Sequence, residues 1–183
     1  MNDNMMSNNE AHRGRPARSP AGDAFTHLVV EVAWLGANFT ATGEHLARVG
    51  GQTLARWVVL DAIADQPATV AQVARLRGIA RQAVQRVADL LVRDGLAAYE
   101  ENPRHRRAQL MRLTPRGQDV LREIAIAQKA WADALGAKVG IPKLERATSL
   151  IREIRGQVAA HELAGSRSGA LASGTSQRRR AER

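Results

Sequence analysis

One stretch of the chain is rich in arginine and glutamine, side chains suited to recognising nucleic acid. Their paired hydrogen-bonding groups fit the edges of guanine and adenine in the major groove. When residues 80–93 are wound as a helix at about 100° per residue, polar side chains gather on one side and apolar side chains on the other. The polar residues that we expect to contact DNA are Arg81, Gln82, Gln85 and Arg86. The alternative interpretation is an ordinary solvated helix face.

A basic hairpin is predicted directly after this helix. Two short extended runs, 96–101 and 108–113, flank the segment 102–107, whose Asn-Pro start suits the tip of a hairpin. Its basic residues are Arg104, His105, Arg106 and Arg107. We expect Arg104 and Arg106 to hold backbone phosphate. A polar helix followed by a basic hairpin is typical of a recognition helix and a wing.

Three further helices must position the recognition helix and the wing, which together form the reading head. Apolar residues recur at helical spacing over 25–46, and the pair Gly50-Gly51 ends that first helix. A short second helix stops before Pro67. Thr69 and Gln72 form a capping box that starts the third helix. The third helix and the Arg/Gln-rich fourth helix are therefore predicted to form a helix-turn-helix.

Two more helices follow the hairpin. Thr114 and Pro115 provide an N-cap and a first-turn proline for the fifth helix, and Pro142 can start the sixth. Their apolar stripes exceed what a small winged core can cover. We therefore expect homodimerisation through the first helix and the last two, the alternative being an intramolecular contact.

The predicted fold class is mainly α with a small β-hairpin wing. Residues 1–22 and 164–183 have the composition of a disordered arm and a disordered basic tail. The folded part is then 23–163, with a winged helix-turn-helix over about 52–117. The flanking segments, 23–49 and 118–163, would hold the dimerisation helices.

Charge and composition limit the function. The net charge is +9, and residues 75–117 hold ten Arg against four acidic residues, a net of +6. Such a basic region favours a polyanionic partner. The absence of cysteine excludes disulfides and thiolate metal sites. With no apolar run long enough for a membrane span and no secretory signal, we expect a cytoplasmic protein.

Other site chemistry finds little support in the sequence. His27 and Glu31 lie four residues apart, but the remaining histidines are scattered, so we interpret them as a surface pair and expect no metal. No nucleophile elbow, phosphate loop or paired acid and base is present. We therefore expect neither enzymatic activity nor a cofactor.

The hairpin and its flanks resemble the MarR family of winged-helix regulators. The wing pattern of that family is Asp, one residue, Arg, five residues, then Leu-Thr, two residues and Gly. Arg107, Leu113, Thr114 and Gly117 match it in register, whereas His105 stands where the family usually has Asp. The segments 81–86 and Asp94-Gly95-Leu96 also resemble the family's recognition helix and its exit.

This resemblance implies a homodimeric DNA-binding regulator, most simply a repressor, acting on a pseudo-palindromic operator. It implies that Arg107 enters the minor groove. The family's Asp orients this Arg, and with His105 in its place we expect the histidine to reach a phosphate directly instead. The resemblance further implies an effector cleft between the first, second and fifth helices, suited to an aromatic acid or phenol. The candidate lining residues are Trp34, Asn38, Arg56, Trp57 and Trp131. The alternatives are an architectural DNA-binding protein with little sequence preference, and a winged-helix protein-interaction module.

Overall fold

The computed structural model describes residues 18–103 and 107–181, with the side chains of the last helix described as far as Glu162. The described chain is mainly helical and carries a two-stranded antiparallel sheet, which confirms the predicted fold class. Its elements, in order, are α1 Pro20–Val49, α2 Leu54–Ala62, α3 Val70–Arg77, α4 Arg81–Arg93, β1 Ala97–Glu100, β2 Leu110–Leu113, α5 Pro115–Val139 and α6 Ile141–Ala181. By its contacts, the segment 128–183 forms a compact unit of its own.

The helix-turn-helix is bounded by local signals in the sequence. The Thr69 side chain accepts a hydrogen bond from the Gln72 backbone N–H at 3.2 Å, and the Gln72 side chain accepts one from the Thr69 N–H at 2.7 Å. This reciprocal pair satisfies two N–H groups that the start of α3 would otherwise leave without partners. Gly78 ends α3 with φ +65°, a left-handed conformation that a residue with a Cβ adopts only at a cost. The predicted capping box is therefore confirmed.

The winged core is built from α2, α3, α4 and the hairpin. Leu60, Val73, Leu91 and Met111 are among its fully buried side chains. Removing one such side chain from water stabilises the fold by about 1.5–3 kcal/mol. The strands pair from Ala97↔Leu113 to Glu100↔Leu110. A backbone bridge between Ala68 and Met111 then ties the start of the helix-turn-helix to the wing.

The helix α4, the β1–β2 hairpin and the helix α5 meet at one junction. The Thr114 N–H donates to Leu96 O at 3.1 Å, and the Thr114 hydroxyl donates to Gly95 O at 2.7 Å. The same hydroxyl oxygen accepts from the Gly117 N–H at 3.1 Å, which caps α5. A Cβ added to Gly117 would lie 2.0 Å from Leu96 O. The glycine of the wing pattern is therefore required by the close approach of α5 to the start of β1.

The ends of the chain are more helical than the sequence predicts. α1 begins at Pro20, where the Ser19 side chain accepts from the Gly22 N–H, rather than at about residue 23. α6 continues to Ala181, although a disordered tail was expected from residue 164. No proline follows Pro142, so nothing in the covalent chain forces the helix to stop. Of the expected disordered segments, residues 1–17 and 182–183 lie outside the described residues.

The long helices carry apolar side chains that the single chain does not cover. The exposed ones on α1 are Phe25, Val29, Val30, Val32, Trp34, Leu35, Phe39 and Val49. Those on α5 and α6 are Ile126, Leu135, Val139, Ile141, Leu144, Leu150, Ile151 and Val158. In the part of the chain that the structure describes, no helix combines the length and apolar character needed to cross a bilayer.

The close approach at Gly117 predicts a position-specific loss of stability. Gly117→Ala should lower the free energy of unfolding by about 1–3 kcal/mol or more, because the added methyl group overlaps a backbone oxygen that cannot move alone. Urea denaturation followed by circular dichroism measures the change. Gly136→Ala on the same helix is the control, since its Cβ would meet no described atom within 4 Å. The control should be neutral or stabilising by up to about 1 kcal/mol; equal effects at both positions would contradict the explanation.

Candidate nucleic-acid interface

α4 presents one buried face and one exposed polar face. Val84, Ala88 and Leu91 have at most 1% of their surface exposed, and they hold the helix against the core. The four predicted DNA-contacting residues, Arg81, Gln82, Gln85 and Arg86, all lie on the exposed side. The packing that buries the apolar face thus leaves the polar face free to meet a large partner.

The first turns of α4 are rich in uncommitted hydrogen-bond donors. Neither Arg81 nor Arg86 forms an ion pair with a described acidic residue. The N-cap of α4 is Ala80, which provides no side-chain hydrogen bond, whereas α1, α2 and α3 each begin with a Ser or Thr cap. An uncapped helix start leaves backbone N–H groups and positive dipole available to an anion. This end of the helix is therefore suited to a phosphate.

Gln85 is held in a three-residue ring of hydrogen bonds. Its Nε2 donates to Asp89 Oδ1 at 2.8 Å and to Tyr99 Oη at 2.9 Å. Tyr99 Oη in turn donates to Asp89 Oδ1 at 3.1 Å. Because Tyr99 lies on β1, the ring connects the exposed face of the recognition helix to the first strand of the wing. The i, i+4 spacing of Gln85 and Asp89 signals their contact, but nothing in the sequence places Tyr99 beside them.

The ring changes the acidity of the tyrosine. Burial raises the pKa of the Tyr99 hydroxyl above its ordinary value of 10.0, and the hydrogen bond to the Asp89 carboxylate raises it further. Both causes disfavour a second negative charge next to Asp89. The hydroxyl is protonated at neutral pH even at the ordinary pKa, and the upward shift of the pKa keeps Tyr99 a donor to higher pH, as the ring requires.

An ion pair anchors the far end of α4. Arg56 Nη2 on α2 lies 2.7 Å from Asp94 Oδ2, and the Arg56 side chain is only 19% exposed. The Asp94 pKa is lowered, first by the hydrogen bond from Arg56 and then by that from Arg93. Arg116 adds a hydrogen bond to the Asp94 carbonyl oxygen at 3.1 Å. These contacts fix where the recognition helix ends, and sequence reasoning missed them because Arg56 and Asp94 are 38 residues apart.

The wing offers a further cation beyond α4. Arg107 is exposed next to the hairpin tip. Arg104, His105 and Arg106, which were predicted to contact DNA, lie outside the described residues. On the strands, Arg112 Nε pairs with Glu100 Oε2 at 3.1 Å and is thereby partly neutralised. Of the four basic residues predicted at the hairpin tip, Arg107 is thus the one that the structure describes.

The predicted effector residues occupy different environments. Trp34 and Asn38 are exposed on α1, with Trp34 at 68%, while Trp57 on α2 and Trp131 on α5 are half-buried. Arg56 is committed to Asp94. The described residues also form an open cavity of about 910 Å³ between α3 and the end of the hairpin strands that adjoins the tip. None of the five predicted residues lines it; its apolar lining includes Pro67, Val73, Leu76, Pro103 and Leu110. No group of three or more His, Cys, Asp or Glu side chains suited to a metal ion occurs among the described residues.

Comparison with known proteins yields a family and a fold. A family model described as MarR family matches residues 50–108, the segment containing the helix-turn-helix and most of the wing. The chain is 43% identical over 117 residues to an uncharacterized protein of Mycobacterium tuberculosis, which covers 62% of this chain and 82% of that relative. This relative carries no functional description.

Several solved structures share the fold. A MarR family transcription regulator aligns with a TM-score of 0.70 at 23% identity, over 76% of this chain and 93% of its own. An Escherichia coli MarR mutant complexed with operator DNA aligns with a TM-score of 0.64 at 17% identity, over 74% and 99%. A Staphylococcus aureus MarR complexed with salicylate and kanamycin gives 0.64 at 17%, over 72% and 90%. At these identities the likeness concerns the fold.

Proposed function

The chain belongs to the MarR family of winged helix-turn-helix transcription regulators, and on that basis we propose that it binds a specific operator as a homodimer and represses transcription. Two recognition helices would enter successive major grooves, with the wings over the flanking minor grooves. Two-fold symmetry then requires a pseudo-palindromic operator with half-sites about one helical turn apart. The proposal assigns no catalytic activity to the protein.

One observation carries this proposal: Arg81 and Arg86 are exposed on a helix whose opposite face is locked into the core. Both are free of described ion-pair partners, so binding DNA would break no described ion pair. Gln82 lies beside them on the exposed side. Arg107 on the wing fits a minor groove, where a narrow A·T-rich segment concentrates negative potential. An Escherichia coli protein of the same fold was solved with operator DNA, which supports this assignment.

The exposed apolar side chains of the long helices support the homodimer. Phe25, Val29 and Val32 on α1 are each 47–50% exposed in the single chain. Apolar residues also remain exposed on α5 and α6. A soluble monomer rarely leaves so many large apolar side chains in water. A second copy of the chain would cover the same surface on both subunits, as two-fold symmetry demands.

We propose in addition that a small aromatic acid or phenol releases the operator. Trp34, Asn38, Arg56, Trp57 and Trp131 are the proposed lining, and the Staphylococcus aureus protein of the same fold was solved with salicylate. Arg56 links this proposal to DNA binding, because its guanidinium holds Asp94 at the end of α4. A ligand carboxylate that bound Arg56 would compete with that ion pair and loosen the position of the recognition helix.

Arginine replacements on the recognition surface should weaken operator binding. We expect Arg86→Ala to cost about 1–3 kcal/mol and to relax the preference at one base pair of each half-site. Arg107→Ala should weaken binding to every duplex tested. Fluorescence anisotropy on DNA from upstream of the gene and on a scrambled duplex measures both, and the wild type should favour its own site by about 10³-fold or more.

Arg122→Ala is the charge-matched control for these variants. Arg122 pairs with Asp119 on α5, outside the proposed interface, and its loss should leave operator affinity nearly unchanged. If Arg122→Ala weakened operator binding as much as Arg86→Ala does, the loss of one positive charge would explain both effects, and no specific contact of Arg86 would be needed. Equal wild-type affinity for specific and scrambled DNA, across the upstream regions tested, would favour an architectural protein. No effect of either Arg86→Ala or Arg107→Ala would instead favour a protein-interaction module.

If the protein is a dimer as proposed, a charged side chain on the apolar face of α1 should prevent dimerisation. Val32→Glu should convert the dimer to a monomer, because each interface would bury two uncompensated carboxylates. Since Val32 is 49% exposed in the single chain, the helical content should be retained. Light scattering coupled to size-exclusion chromatography gives the mass, and circular dichroism the helical content. His27→Glu, an exposed position on another side of α1, should remain dimeric; a wild-type monomer at micromolar concentration would contradict the homodimer.

The fluorescence-anisotropy titration of operator DNA also tests effector binding. Saturating salicylate or a related aromatic acid should lower operator affinity, and Trp57→Ala should reduce that response while retaining operator binding in the absence of ligand. Anisotropy of labelled operator at fixed protein concentration gives the dose dependence. Operator affinity that stays constant across a panel of aromatic acids and phenols would rule out this part of the proposal.

A further inference from the structure

We propose that the Gln85–Asp89–Tyr99 ring makes Gln85 a hydrogen-bond acceptor toward DNA, so that α4 reads the exocyclic amino group of adenine or cytosine rather than adenine alone. The inference rests on the proposed function, because it concerns how that interface chooses its sequence. Tyr99 is in this respect a positioning residue, which acts through Gln85.

Hydrogen counting establishes the direction of each bond in the ring. An ionised carboxylate such as that of Asp89 can only accept, so Gln85 must turn its NH₂ group, not its carbonyl, toward Asp89. Tyr99 has one hydroxyl hydrogen, which it gives to Asp89 at 3.1 Å. Its oxygen then accepts the second Gln85 hydrogen at 2.9 Å. We assign all three hydrogens to bonds within the ring, which leaves the Gln85 carbonyl oxygen as the amide's remaining polar group.

This orientation changes what Gln85 can recognise. A free glutamine binds adenine with two bonds, accepting from N6 and donating to N7. With both amide hydrogens committed, Gln85 can only accept, and its partner must be N6 of adenine or N4 of cytosine. Asp89 is exposed beside it and adds a second acceptor-only group. The second turn of α4 is therefore acceptor-rich, whereas Arg81 and Arg86 provide donors on the same surface.

Every base pair carries one amino group in the major groove, on adenine or on cytosine. We therefore predict that Gln85 distinguishes which strand carries that amino group, and not which of the two base pairs is present. At the position read by Gln85, A and C on the contacted strand should be accepted within about threefold of each other. G and T, which present a carbonyl oxygen there, should be disfavoured by about 5- to 150-fold, the usual range for one mismatched position. A glutamine free of the ring would instead select adenine over cytosine.

Selection of full-length protein on randomised duplexes, followed by sequencing, tests this preference. Gln85→Ala identifies the position, because it should abolish the preference there and leave the other positions intact. Tyr99→Phe returns one amide hydrogen to Gln85, so the same position should shift from A and C toward A alone. Glu100→Gln is the control on the neighbouring strand residue: it breaks the ion pair with Arg112 but leaves the ring intact, and should not change the preference.

A second measurement tests the ring without DNA. Tyr99 is the chain's single tyrosine, so an ultraviolet absorbance titration follows its hydroxyl alone. Asp89→Asn should lower the Tyr99 pKa by removing the carboxylate that helps to raise it. Circular dichroism at each pH establishes that the variant remains folded over the range compared. A Tyr99 pKa that is the same in the wild type and in the folded Asp89→Asn variant would overturn the ring.

The outcomes of the selection separate the two proposals. Enrichment of A and C at the Gln85-dependent position, with the shift in Tyr99→Phe, supports the inference. A wild-type preference for adenine over cytosine there, an unchanged Tyr99→Phe variant, or a Gln85→Ala variant with wild-type specificity would overturn it while leaving a sequence-specific regulator. No enriched sequence with the wild type would overturn the proposed function, and this inference with it.

Discussion

The reading head depends on the short junction at which α4, β1 and α5 come together. Thr114 makes three hydrogen bonds there, to Gly95, Leu96 and Gly117, through one backbone and one side-chain group. Since the Gly117 backbone lies against the Leu96 carbonyl oxygen, α5 has a single close-packed position relative to the first strand. The hairpin is thus clamped at its base. The Leu-Thr and Gly of the wing pattern have a mechanical role distinct from that of the arginine at the tip.

Two contacts then fix the recognition helix relative to this junction. Asp94 at its end is held by Arg56 of α2, and Gln85 on its exposed face is linked to Tyr99 of β1. The first contact joins the helix to the scaffold and the second joins it to the wing. The polar face is accordingly preorganised in part before any partner arrives, which lowers the entropy lost on binding. Arg81 and Arg86 keep the rotamer freedom that adjustment to a duplex requires.

The sequence predicted the parts of this architecture that depend on local chemistry. Helical periodicity, the Thr69 capping box and the Thr114-Pro115 start are properties of neighbouring residues, and the structure confirms them. The Arg56–Asp94 pair and the position of Tyr99 depend on how separate elements pack, which no local pattern encodes. For the same reason Arg56 was predicted only as a lining residue of an effector cleft, and its ion pair with Asp94 was not anticipated. The length of α6 was missed because composition alone does not terminate a helix that lacks proline.

Asp89 gives the reading head a property that its arginines lack. On the proposed DNA interface, this carboxylate would repel every duplex alike, and would so oppose the sequence-independent attraction supplied by the basic residues. On a correct site of the proposed interface, an amino group facing Asp89 and Gln85 would offset that repulsion, whereas elsewhere the repulsion would stay uncompensated. The carboxylate would thereby shorten the time that the protein spends bound to each wrong DNA sequence. Because a genome presents so many wrong stretches, rapid departure from them speeds the search for the right one.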